Sequence, residues 1–305
     1  MNTTKIKRKG DIGELLFYIG IIALPIIQVL IFYFYVNFNS LTMAFKHWTG
    51  EVTDTFEWDF GRENFPKLVT EIKNNLLLDA LMNSLIVWLF TAVIGTFLCV
   101  LFAYYIYKKW FLGKTFKFFL FLPSVLPSIL LVSVYNFFTQ EAIPGYASEF
   151  FGKEISSLMT PGSLTRMPTV IFYNVFVCFG AQLLIYTGAM DQIPPEIIEA
   201  GKVDGVSTTI EFFYIVLPMI LPTISTFVVA NVATIFTNQA NLYAFFGDEV
   251  EPSNYTIGYH LFKLVNQKGA KKSGYTYASL LGVLCTFLAF PLTMLARKLL
   301  NREDE

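Results

Sequence analysis

Six stretches without a single Asp, Glu, Lys, Arg or His constrain this chain more than any other feature: residues 15–45, 80–107, 118–140, 167–190, 212–247 and 273–296. A helix needs about 20 apolar residues to cross the hydrocarbon core, so each stretch can span once. Lipid offers no partner for a free N–H or C=O, which leaves helices as the only economical architecture. Only 15% of the residues are charged, against about a quarter in a soluble domain, and 54% are hydrophobic, so the rest of the sequence agrees. The expected fold is an all-α integral membrane protein of six transmembrane helices. They are placed at about 13–38, 81–107, 116–139, 167–190, 214–245 and 275–297, within a single transmembrane domain over 1–305.

The basic start KIKRKGDIGELLFYIG precedes an apolar run too long for a signal peptide and followed by no small-residue cleavage site, so it reads as an uncleaved first span. With the N-terminus inside, twelve of the 22 Lys and Arg residues fall on inside segments: Lys5, Lys7, Arg8, Lys9, Lys108, Lys109, Lys114, Lys117, Lys202, Arg297, Lys298 and Arg302. They lie close to span ends, where positive charge sets orientation, and this favours N-in, C-in. Prolines at 25, 123, 127, 218, 222 and 291 are expected to kink the spans. Cys99, Cys178 and Cys285 lie far apart in apolar runs and read as small buried residues.

Several functions are argued against. A net charge of −1 excludes a globally basic nucleic-acid binder. Ion-coupled carriers usually hold an ionisable group in the membrane, and no window has one. Sodium can be held by carbonyls and hydroxyls, so a stand-alone sodium-coupled secondary carrier of a neutral solute stays open as the alternative. The sequence contains no G-x-x-x-x-G-K-[ST] phosphate loop. His47 and His260 sit in expected outside loops far from a second ligand, and no metal set or catalytic triad is visible. The chain therefore reads as a non-enzyme without cofactor or metal, and uphill transport would draw its energy from a partner.

One polar segment interrupts the apolar pattern: IPPEIIEAGKVDGVSTTIEFFYIVLP, residues 193–218. Pro194 and Pro195 suit the start of a new helix. Glu196 to Lys202 read as one or two turns, with Ile197, Ala200, Gly201 and Asp204 expected on one face for close approach of another surface. Gly205 is permissive for the left-handed conformation that ends helices. A re-entry helix from Thr208 would follow.

The spacing E-A-x-x-x-x-G, nine residues, then I-x-L-P (Glu199, Ala200, Gly205, Ile215, Leu217, Pro218) resembles the EAA signature of permeases of binding-protein-dependent (type I) ABC importers, in the form seen in carbohydrate-uptake permeases. Gly201 stands where that family generally has a second alanine. Further likeness lies in LMNSLIVWLF (81–90), FKFFLFLPSVLPSILLVSVYNFF (116–138), MAFKHWTG (43–50) with the W-x-F-G-x-x-N-F of 58–65, and YTYASLLGVL (275–284). The resemblance implies a permease subunit in the bacterial cell membrane with 193–213 as a cytoplasmic coupling segment. It also implies Glu196, Glu199, Ala200, Gly201, Asp204 and Gly205 as residues that meet an ATPase. The partners implied are a second permease chain forming a heterodimer, two ATP-binding subunits carrying ATP and Mg, and an extracellular solute-binding lipoprotein. The long loop 248–272 could meet that lipoprotein or be simply solvated.

The fifth window ends in a polar run. Asn231, Thr234, Asn238 and Asn241 recur at helical spacing, with Gln239 and Tyr243 beside them. Amides that donate and accept, next to aromatic rings, suit an uncharged hydroxyl-rich ligand, which with the resemblance implies a neutral sugar or oligosaccharide. The alternative is that these groups bond across helices inside the bundle. Asn174, Gln182 and Thr187 in the fourth window are weaker candidates for the path, as are Asn83 and Ser84. A third function class, a non-transporting assembly subunit that only recruits a partner, stays open on these residues alone.

Overall fold

The computed structural model describes residues 12–50, 54–152, 156–266 and 272–300. Lys5, Lys7, Arg8, Lys9 and Arg302, which carry part of the orientation argument, lie outside the described residues. Four described helices are long and apolar enough to cross a membrane: Leu16–Met43, Leu76–Tyr107, Thr208–Ala233 and Ser273–Leu300. Counting each bent pair as one span gives up to six, the pairs being Gly113–Val125 with Ser128–Phe150 and Arg166–Val177 with Gly180–Met190.

The third window departs from a kinked helix. Its two halves meet at 107°, and the break falls at Leu126-Pro127. The proline ring crowds the preceding residue out of the α region, so Leu126 is extended (φ −83, ψ 144) and the helix restarts only at Ser128. The fourth window bends by 42° at Cys178-Phe179. In the fifth, the helix stops at Ala233, short of residue 245, and an irregular segment runs on to a short helix, Leu242–Phe246.

The chain divides into two compact units, residues 1–66 with 271–283 and residues 67–270 with 284–305. In the first, the apolar window of Leu16–Met43 is wholly unburied, as suits a helix against lipid or another chain. A hairpin pairs Lys46–Trp48 antiparallel to Phe56–Trp58. Buried Asn64 donates its Nδ2 to the carbonyls of Ala44 (3.0 Å) and Lys46 (3.2 Å) and accepts from Thr276 Oγ1 (3.3 Å). Two of the stretches that carry the family likeness, 58–65 and 275–284, thus meet in one hydrogen-bonded knot.

The second unit holds a continuous core. Cys99, Val100, Ala103 and Tyr104 pack with Leu183, Tyr186 and Met190 and with Phe212, Val216 and Ile220. Ile193 and Ile198 of the polar segment join the same cluster. Burying an isoleucine side chain is worth about 1.5–3 kcal/mol, so the polar segment is tied to the bundle by packing, not only by its two chain connections.

Candidate functional site

Residues 193–213 form a helix, a glycine turn and a re-entry helix. The first helix is Pro195–Val203, with Pro195 at its first position and Pro194 extended before it. It ends in a Schellman arrangement, in which Gly205 (φ 75) and Val206 donate their N–H groups to the carbonyls of Lys202 (3.1 Å) and Gly201 (2.9 Å). Ser207 Oγ then accepts from Ile210 N (3.5 Å) to cap the helix that begins at Thr208.

The expected contact face is corrected on one point. Gly201 is buried and points into its own chain with Ile198, because a step of three carries both to the inner stripe of the helix. A Cβ at Gly201 would stand 3.0 Å from Ile215 Cδ1, tighter than ordinary contact. The missing alanine methyl therefore answers an internal contact, the close packing of this helix on the 211–220 stretch. Pro195, Glu196, Ile197, Glu199, Ala200, Lys202, Val203, Asp204 and Gly205 are exposed. Val203, absent from the sequence reading, is 87% exposed, an aliphatic side chain held out beside exposed Glu199, Lys202 and Asp204.

A buried ion pair secures the re-entry helix. Lys108 Nζ donates to Glu211 Oε1 (2.8 Å) and Oε2 (3.0 Å). Tyr104 Oη lies 3.0 Å from the same Oε1 and 3.2 Å from the Thr208 carbonyl, and can donate to either. Glu211 is only 4% exposed. The end of the 76–107 helix and the start of the 208–233 helix are thus held by charge, hydroxyl and the Tyr104–Phe212 ring contact at 4.9 Å. The 211–216 stretch is also π-helical, a wider turn often found at functional positions.

A cavity of about 240 Å³ lies among the second, fourth and fifth windows, lined by Thr91, Asn174, Val177, Cys178, Gln182, Asn231, Asn238 and Asn241. Asn231, Asn238 and Asn241 converge as the sequence suggests, but for another reason than a helix face. Only Asn231 is helical; Asn238 and Asn241 are delivered by the irregular segment after Ala233. There Asn238 Oδ1 accepts from Ala240 N (2.8 Å), a local bond that competes with helix formation. Ala240 and Asn241 are left-handed, with φ of 52 and 57. Asn174 holds this turn by donating to the Ala240 carbonyl (3.0 Å) and accepting from Asn241 Nδ2 (2.8 Å).

The amides therefore divide. Asn174 has both its donor and its acceptor engaged, whereas among the described residues Gln182 and Asn231 have no side-chain hydrogen-bond partner and can address a ligand. Thr234, Gln239 and Tyr243 do not line the cavity; Tyr243 packs its ring on Phe262 at 4.8 Å. Asn83 and Ser84 are structural, bonding the 253–257 segment, and Thr187 bonds back to the Leu183 carbonyl. Thr91 is a lining residue the sequence reading missed, since a lone threonine in an apolar helix carries no signal. Cys178, expected buried, is half-buried on the cavity wall. His260, expected to stand alone, meets Glu71 at 3.1 Å.

The profile of the family described as binding-protein-dependent transport system inner membrane component matches residues 95–303. The chain belongs to this family. This permease is 24% identical over 277 residues, 90% of its length and 92% of the relative's, to the multiple sugar-binding transport system permease protein MsmF of Streptococcus mutans. It is 23% identical over 275 residues, 88% of its length and 83% of the relative's, to the arabinooligosaccharides transport system permease protein AraP of Halalkalibacterium halodurans. Its fold matches a chain from the crystal structure of a bacterial ABC transporter that imports the acidic polysaccharide alginate, with a TM-score of 0.76, 22% identity and 95% and 96% of the two chains covered. The permease is a multi-pass cell-membrane protein and not itself an enzyme, and its EAA-type segment is typical of the family.

Proposed function

We propose that this permease passes a neutral sugar or oligosaccharide from an extracellular binding protein to the cytoplasm, as one of two transmembrane chains driven by two ATPase subunits. The observation that carries the substrate class is the cavity lining: five amides and a threonine beside Val177 and Cys178, with no charged side chain among the described lining residues. An acidic sugar would want cationic groups, which make the strong hydrogen bonds to carboxylates. The sugar and oligosaccharide systems named for the relatives support the same class, and the alginate system supports the fold alone. A cavity of about 240 Å³ falls below the roughly 300–1,000 Å³ usual for a ligand site, in keeping with a path completed by a second permease chain. In this reading the exposed residues of 195–205 meet the ATPase, which holds ATP and Mg. The sodium-coupled alternative gains no support from the family match.

Replacing both Gln182 and Asn231 with leucine is the test of the path. Each lost hydrogen bond is worth about 0.5–1.5 kcal/mol, so uptake of a neutral oligosaccharide by the reconstituted transporter should fall roughly tenfold or more. A panel of neutral arabino- and galacto-oligosaccharides against a uronate oligomer tests the substrate class. Preferential uptake of the uronate would overturn neutrality, and uptake without any ATPase subunit would restore the secondary carrier.

A further inference from the structure

The segment between the fifth and sixth windows is polar enough in sequence for a solvated loop, yet Tyr255, Thr256, Ile257, Gly258, Tyr259 and His260 are all buried. One side of this stretch is fastened to the 76–107 helix. Asn83 Nδ2 donates to the carbonyls of Ser253 (2.7 Å) and Tyr255 (2.9 Å), and Ser84 Oγ accepts from Ile257 N (2.9 Å). The other side presses on the irregular turn that carries the cavity amides. Thr256 Oγ1 donates to the Asn238 carbonyl (3.0 Å). At Gly258 the two backbones come so close that a Cβ would stand 2.6 Å from the Asn238 carbonyl carbon and oxygen and from the Thr237 carbonyl carbon. Those atoms are main chain and cannot rotate aside.

We propose that Gly258 and Thr256 are positioning residues of the solute path: the 253–260 segment sets the height of the Asn238–Asn241 turn against Asn174, and so the spacing of the amides in the cavity. This rests on the reading of that cavity as the path. The turn needs an external support because Ala240 is held left-handed, a conformation costly for a residue with a Cβ. The Asn174 bonds tie the turn to the Arg166–Val177 helix, and the 253–260 segment, itself fastened to the 76–107 helix, is its second support. Any methyl at 258 pushes the turn as a unit, and a shift near 1 Å in a positioned group can cost about 100-fold in rate.

The experiment uses the assembled transporter in liposomes with its loaded binding protein, following oligosaccharide uptake and ATP turnover together. Gly258→Ala should lower uptake about tenfold or more while ATP turnover and subunit assembly stay within about twofold, so that solute carried per ATP falls. Thr256→Val, which removes the hydroxyl at constant shape, should lose several-fold, and Thr256→Ser, which keeps it, should transport almost normally. A Gly258→Ala variant with normal uptake overturns the proposal. If Gly258→Ala does not assemble, the Thr256 pair decides, and equal losses in Thr256→Val and Thr256→Ser overturn it. The Gln182 and Asn231 double variant separates the two claims. Normal uptake in that variant removes the cavity from the path. Blocked uptake there, together with normal uptake in Gly258→Ala and Thr256→Val, removes only the positioning role.

Discussion

Lys108→Met should destabilise the protein by about 3 kcal/mol and uncouple transport, the lower end of the ~3–5 kcal/mol for removing one partner of a buried ion pair. The effect comes from what stays behind. Glu211, its side chain 6% exposed, would keep Tyr104 Oη as its one remaining side-chain donor among the described residues, and a carboxylate taken from water without a counter-charge is strongly disfavoured. The lower end applies because the Lys108 side chain is 17% exposed and water offsets part of the loss. Removing both charges with Lys108→Met and Glu211→Leu should recover most of the stability, since apolar replacement of a buried pair is often neutral. Thermal unfolding of the purified complex, beside its uptake, is the measurement. A single variant that melts with the unsubstituted protein would show that water reaches Glu211 freely.

That pair marks the border of what the sequence makes legible. Charge-free windows are readable because the cost of a charge in lipid acts on every residue in them. The 193–213 segment is readable because prolines, a glycine and a serine cap fix its shape through local backbone geometry. Lys108 and Glu211 are far apart along the chain, and nothing local in either residue announces the other. The fifth window misleads in an instructive way. Asn231, Thr234, Asn238 and Asn241 fit a helical period, but asparagine side chains can bond their own backbone, and Asn238 does so with Ala240. Residue type identified the cavity amides, whereas the delivering turn depends on Asn174 and the 253–260 segment, which only the fold brings near. In the sequence Gly201 fits a partner contact, because small residues allow close approach by any surface. The sequence cannot say which, and the surface turns out to be Ile215.

The inner and outer stripes of the 195–203 helix lead to the second large effect. On the proposed docking of this helix against the ATPase subunits, Val203→Asp should detach them from the permease and abolish uptake, while leaving the permease's own unfolding temperature unchanged. At 87% exposure the side chain contributes little to the fold, so its loss costs little there. Docked into a partner, a valine contributes about 1.5–3 kcal/mol, roughly 10–150-fold in affinity, and an aspartate in its place adds the penalty of a buried unpaired charge. Gly201→Val should do the reverse. Its side chain would be driven onto Ile215, lowering the unfolding temperature and freeing the helix from the core that Ile198 joins. Retention of ATPase on affinity-tagged permease, measured beside thermal unfolding, separates the two stripes. A Val203→Asp permease that keeps its full complement of ATPase would mean that the partner grips elsewhere. Glu199→Arg with Gly205→Arg would then test whether the charged end of the same helix carries the contact, because that pair reverses one charge and straightens the turn that Gly205 makes with φ of 75.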